Sequence, residues 1–412
     1  MRIIGAVLAA LVVAFGAVTA FEVTDRAAAA DDVVSRSQPL SADAASIYRS
    51  LADADTAATS GFLARGQEPA AVHQRYQEDL ATASRLLVKA AANSRGSDQS
   101  TREITTLGVG LPRYAGLVER ARAANRQGLP LGGAYLRYAN ELMSGQMLPA
   151  AERLYEAETA RLGQDDRDAR RRPLLSLAVG ALAAGALLWA QRRTYLRTNR
   201  VFNHGLLAAT AASVAVLMWL AVGHGVARAQ LGEAKAHGQD SLKVLNEARI
   251  SSLKARANEN LTLVARGAVI TTEGQDRYET EYGEEMALLN TALDRADRLA
   301  DDTAGGEPLA RAAAHVGEWR KRHAVVRKED TAGDYEAALA GVIGDKDTTG
   351  QSFDQVDAAL EKALAHEQEE FTRAAADGRD ALTGLAVGAA VLAVLGAAGA
   401  VMGVNRRLAE YR

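Results

Sequence analysis

The residues whose type and spacing best suit contact chemistry sit in two matching turns. Ala64-Arg65-Gly66 and Ala265-Arg266-Gly267 each follow an apolar run at the same interval. Arginine presents a planar fork that grips a carboxylate through two parallel hydrogen bonds. Arg65, Gly66, Arg266 and Gly267 are therefore the candidate partner- or ligand-binding residues, although Arg and Gly in a turn serve equally to cap a helix. A second group, Arg192, Arg193, Arg197 and Arg200, falls within ten residues and forms a candidate output surface. A third set is steric. Gly384-x-x-x-Gly388 and Gly399-x-x-x-Gly403 let two helix backbones approach closely, within the chain first and in a homodimer second.

Nothing in the sequence assembles a catalytic centre. The seven histidines do not cluster: His315 and His323 are apart with no HExxH pattern, and His366 beside Glu367, Glu369 and Glu370 reads as a solvated helix face. There is no GxGxxG, P-loop or GxSxG motif. Cysteine is absent, which excludes disulfides, thiolate metal sites and thiol nucleophiles. A net charge of −3 offers no basic face for nucleic acid. The expectation is a non-enzyme without cofactor or metal.

The elements that must position these residues come in a repeated order. Four apolar runs, Ile3–Phe21, Leu174–Ala190, Leu206–Val222 and Leu382–Val404, contain no charged side chain. Each has the length that crosses a hydrocarbon layer about 30 Å thick. They divide the chain into a first span (1–21), a long segment (22–173), a second span (174–190), an arginine-rich loop (191–205), a third span (206–222), a second long segment (223–381), a fourth span (382–404) and a tail (405–412). The arginines of the loop, with Arg406, Arg407 and Arg412 of the tail and Arg2, place loop and termini in the cytoplasm. Arg170, Arg171 and Arg172 lie on the other side and oppose this, but long translocated segments tolerate charge. Val18-Thr19-Ala20 resembles a signal-peptide cleavage site, whereas the internal counterpart of the first run favours an uncleaved anchor. No ionisable residue lies inside a span, which disfavours a transporter or channel.

The long segments match each other beyond the two turns. Arg75-Tyr76 pairs with Arg277-Tyr278, Leu86-Leu87 with Leu288-Leu289, and Gly133-Ala134-Tyr135 with Gly333-Asp334-Tyr335. Apolar residues at helical spacing give stripes such as Ile47, Leu51, Ala58 and Phe62, or Leu309, Ala312, Val316, Trp319, His323 and Val326. Gly66 to Pro69, Ser94 to Ser97, Gln127 to Pro130, Gly274, Gly305 to Pro308 and Thr331 to Gly333 separate the stripes, and Pro112 should kink the third helix. The fold class expected is all-α integral membrane, with four transmembrane helices and two duplicated extracytoplasmic four-helix bundles.

Each half resembles the four-helix sensor domain of bacterial chemoreceptors, but no HAMP, kinase or methyl-accepting region fits in the short inner segments. The whole architecture resembles the GlnX-type four-span membrane proteins of an actinobacterial glutamate/aspartate-sensing system. That resemblance implies a solute-binding lipoprotein as outer partner and a cytosolic Ser/Thr kinase of the protein kinase G type as inner partner. It carries no site residue onto this chain. The reading is a sensor or adaptor that relays an outer signal across lipid. The rivals are a structural or regulatory subunit of a transport or envelope complex, and a direct small-molecule sensor.

Overall fold

The computed structural model describes residues 2–64, 68–93, 97–198, 203–233, 238–344 and 346–409. Helices account for nearly all of them. In chain order they are α1 (Arg2–Asp32), α2 (Gln38–Leu63), α3 (Ala70–Asn93), α4 (Asp98–Arg126), α5 (Leu131–Leu142), α6 (Leu148–Ala169) and α7 (Leu174–Thr198). There follow α8 (His204–Glu233), α9 (Asp240–Ala265), α10 (Arg277–Leu299), α11 (Thr303–Thr331), α12 (Tyr335–Ile343), α13 (Thr349–Asp380) and α14 (Leu385–Ala409). Wide π-helical turns join α1 to α2 at Val33–Ser37 and α5 to α6 at Met143–Met147. No strand forms among the described residues; an isolated bridge links Ile270 and Asp276.

The chain divides into two compact units. The first comprises Met1–Arg36, Gly163–Ala234 and Thr372–Arg412. Four helical stretches, Ile3–Leu63, Leu131–Leu196, His204–Gly232 and Thr349–Val404, are long and apolar enough to cross a membrane. Their apolar windows match a multi-pass membrane protein. In the first unit Phe15, Ala183, Val216 and Ala389 pack together, as do Leu8, Val12, Leu187 and Leu206. Val7, Leu182, Met218 and Val394 face outward, as side chains solvated by lipid would.

Two breaks in this unit are built from polar chemistry. α6 ends at Ala169, and α7 starts only after Pro173. The carbonyls freed there need donors. Arg26 supplies them, its Nε donating to Arg171 O at 2.7 Å and its Nη2 to Arg172 O at 3.1 Å. The second break lies just before α14. Gly384 ends its turn with φ +80°, and among the described residues nothing stands within 4 Å of its open side, so it packs against no helix described in this chain. Only glycine takes that left-handed backbone without strain.

The second unit comprises Ser37–Leu162 and Lys235–Phe371. Both long segments close on one apolar core. Ile47, Leu51, Leu107, Tyr114, Leu136 and Leu154 from one join Leu253, Leu261, Leu289, Val316, Trp319 and Leu360 from the other. The helix breaks follow the turn residues. Ser97, Asp276, Asp302 and Asp334 cap α4, α10, α11 and α12 by accepting backbone N–H groups. Pro112 lies inside α4, which runs unbroken from Asp98 to Arg126.

A polar seam with candidate ligand cavities

α2 and α9 lie at the middle of the second unit and are buried on nearly all sides. Both nevertheless carry polar side chains at buried positions. Asp53, Asp55, Thr56 and Thr59 stand on α2, and Ser252, Arg256, Glu259 and Asn260 on α9. A buried polar group is costly unless it is bonded. The two helices bond each other. Thr56 Oγ1 donates to Leu253 O at 3.0 Å, Asn260 Nδ2 donates to Ser60 Oγ at 2.8 Å, and Arg49 Nη1 donates to Asn246 Oδ1.

Four charged groups open off this seam. In the first, Arg75 on α3 pairs with Asp53 at 2.9 Å and with Asp357 at 3.3 Å. Arg249 meets Asp357 from the other side with two donors, at 2.7 and 3.1 Å. Burial raises the Asp53 carboxyl despite Arg75. Burial, then the neighbouring Asp53, pushes Asp79 up to about 8. A cavity of about 550 Å³ adjoins, lined by Asp53, Thr56, Arg75, Arg256, Phe353 and Asp354.

The second group surrounds Glu259, which is 1% exposed. Trp319 Nε1 donates to it at 3.2 Å, Arg256 pairs with it, and His323 Nδ1 lies 2.9 Å from its Oε1. The far nitrogen of His323 lies 3.1 Å from Glu279, and Tyr282 stacks on the imidazole at 3.8 Å. Burial opposes the charge on His323, but hydrogen bonds to Glu259 and Glu279 prevail and its pKa rises to about 9.

The third is Asp55, which accepts from Tyr114 Oη at 2.9 Å and Asn140 Nδ2 at 2.8 Å. Burial outweighs both bonds and raises its pKa to about 6. It lines a polar cavity of about 300 Å³ with Lys254 and Glu285.

The fourth is Arg49, in a cavity of about 340 Å³ between α2, α6, α9 and α13. Its Nη2 donates to Ser46 Oγ at 2.9 Å. Burial, then the nearby Arg249, lowers its pKa to about 10.

The residues singled out from sequence are distributed differently. Arg65 and Gly66 lie outside the described residues. Arg266 ends α9 with φ +48° and Gly267 follows with φ +71°. The Arg266 guanidinium lies 3.9 Å from the Tyr335 ring centre, so one of its faces is already covered. Arg192 and Arg193 lie on the last turns of α7, Arg193 over Trp189 at 5.0 Å. Arg197 belongs to the α7 backbone, and Arg200 lies outside the described residues. Gly388, Gly399 and Gly403 face α8: a Cβ on Gly388 would overlap the Trp219 ring, and one on Gly399 would stand 3.0 Å from Gly205 O. A Cβ on Gly403 would meet Gly205 Cα at 2.9 Å.

His366 is only partly solvated. Its Nε2 is buried 3.3 Å from Asp302 Oδ1 and 3.6 Å from Glu370 Oε1, a trio whose ligand-type atoms lie within 4.8 Å of one another. Asp302 is also the cap of α11, accepting from Gly305 N at 2.7 Å. Burial, then Glu370, pushes the adjacent Glu367 up to about 7.

Sequence reasoning passed over the seam. Its one signal was acids, Asp53 and Asp55, inside the apolar stripe of Ile47 to Phe62. Arg75 was noted as half of a repeated Arg-Tyr pair. Its counterpart Arg277 pairs with Glu281 on the surface instead, at 2.7 Å.

No curated protein and no solved structure matches this chain. Residues 29–167 do match a family model, that of an actinobacterial sensor domain, which supports a sensor protein of actinobacteria.

Proposed function

We propose that this chain is a non-enzymatic transmembrane sensor or adaptor. The observation that carries the reading is the match of residues 29–167 to the actinobacterial sensor domain. Four apolar helical stretches support a chain held in lipid. The order of α2 to α6 and its recurrence in α9 to α13 support a duplication, read as two four-helix bundles; the arginines of the inner loop and tail support placing both outside the cytoplasm. The α7–α8 loop and the tail face inward. Amino-acid availability, read with a solute-binding lipoprotein, would favour one packing of α2 against α9 over another. The arginines at the end of α7 would pass that difference to a cytosolic Ser/Thr kinase. A ligand or partner shifts such an equilibrium only by binding the two packings unequally.

The test is twofold. The chain has no cysteine, so single cysteines report their side of the membrane. In intact cells an impermeant maleimide should label Val88→Cys and spare Tyr195→Cys; the reverse pattern refutes the topology. Tagged chain purified from actinobacterial membranes should carry a lipoprotein and a kinase. A permease or ATPase in their place would establish the structural-subunit reading instead.

A further inference from the structure

We propose that the cavity at Arg49 binds a small organic carboxylate with an apolar body. A ligand here would be read by the chain itself, beyond any signal an outer lipoprotein brings.

Arg49 is the odd member among the arginines near the seam. Arg75 pairs with Asp53, Arg249 with Asp357, Arg256 with Glu259, Arg122 with Glu68 and Arg153 with Glu103. Arg49 has no carboxylate within ion-pair distance among the described residues. Its two terminal nitrogens rest on the neutral oxygens of Asn246 and Ser46. A partly buried guanidinium is better satisfied by a carboxylate, whose two oxygens match its fork, than by neutral oxygens. The nearby Arg249 adds a second positive charge, which Asp357 already holds.

The remaining walls set the rest of the ligand. Leu162, Leu242, Leu364 and Phe371 line the same cavity, so a hydrocarbon body finds apolar cover there. Ser41 and Thr159, bonded to each other at 2.9 Å, add hydroxyls on the same wall. The volume of about 340 Å³ is at the small end for ligand sites, so the occupant is a short chain rather than a lipid. Inorganic phosphate fits poorly: Glu361 on the lining opposes any anion, a singly charged carboxylate less than phosphate, and the leucines gain nothing from phosphate. The walls come from both long segments, α2 and α6 on one side and α9 and α13 on the other, so an occupant ties the two together.

Titration calorimetry on the full chain in lipid nanodiscs tests this, with sodium hexanoate, 1-hexanol and sodium phosphate as probes. Hexanoate should bind saturably, one per chain. Hexanol and the Arg49→Ala variant should each bind at least about tenfold more weakly, because the charge-assisted pair is lost. Where Arg49→Ala fails to fold by circular dichroism, Arg49→Lys replaces it: the charge stays, the fork is lost, and binding should still weaken about tenfold. No saturable heat from hexanoate, phosphate binding as tightly, or unchanged affinity in a folded Arg49 variant would each overturn the proposal. These outcomes are independent of the maleimide and co-purification results.

Discussion

His323 Nδ1 stands 2.9 Å from Oε1 of Glu259, joining α11 to α9 at a point where the carboxylate is 1% exposed. The pair makes stability depend on pH in a fixed direction. The folded His323 holds its proton up to about 9, whereas an unfolded histidine releases it near 6.5. A raised folded pKa gives stability that is complete below the unfolded value and fades as pH climbs through the folded one. Thermal melts should therefore drop between pH 6.5 and 9.5 by the equivalent of roughly 2–3 kcal/mol. His323→Gln should remove most of that slope. A slope that survives the substitution would place its origin elsewhere.

Asp79 also loses stability as pH rises, because its folded pKa is raised rather than depressed. Its folded pKa of about 8 lies above the ordinary carboxyl value, so ionising it costs stability as pH rises from about 4. Asp79→Asn should stabilise the second unit by about 1 kcal/mol near pH 8 and by much less at pH 4. Chemical unfolding at the two pH values checks this; equal effects at both would show that Asp79 is ionised throughout.

Arg75 is set between Asp53 and Asp357, but Asp357 also has Arg249. Removing Arg75 therefore strands Asp53 above all. Arg75→Ala should destabilise by about 2 kcal/mol, and Asp53→Asn in the same chain should recover part of it. Additive losses in the double-mutant cycle would mean the two side chains act separately.

Gly388 in α14 and Gly384 just before it are of two kinds. Gly388→Leu forces a side chain into Trp219, and overpacking of this kind costs roughly 1–3 kcal/mol. Cysteines placed on α8 and α14 should then crosslink less readily. Gly384→Ala meets no neighbour and should cost only the backbone strain of φ +80°, about 1 kcal/mol, with crosslinking preserved. Equal effects from both substitutions would mean that α8 and α14 do not pack through Gly388.

The sequence made the helices legible because periodicity records burial. Tyr282, Met286, Leu289, Leu293 and Ala296 are all buried, as are Leu309, Ala312, Val316, Trp319, His323 and Val326. The paired leucines show the limit of that record: Leu289 is buried and Leu288 exposed, since adjacent helix positions face apart. Periodicity says that a face is covered and not what covers it. The partnership of α2 with α9 was hidden for that reason. So was much of the chemistry of Arg49 and Glu259, since Asn246 reaches the first, and Trp319 and His323 the second, from distant parts of the chain. Arg266 was legible as a turn residue but not as a ring-stacked one, because Tyr335 approaches only in the folded chain.

The seam has a consequence for biosynthesis. Thr56 finds its acceptor at Leu253, and Asp53 shares its arginine with Asp357, some three hundred positions later in the chain. A ribosome delivers these residues in order, with two apolar helices threaded between them. The earlier half can pair Asp53 with Arg75 and Asp55 with Tyr114 by itself, but its seam toward α9 and α13 stays open until the last segment emerges. Premature termination anywhere before α13 leaves a polypeptide that no local repair can finish, and proteases should clear it.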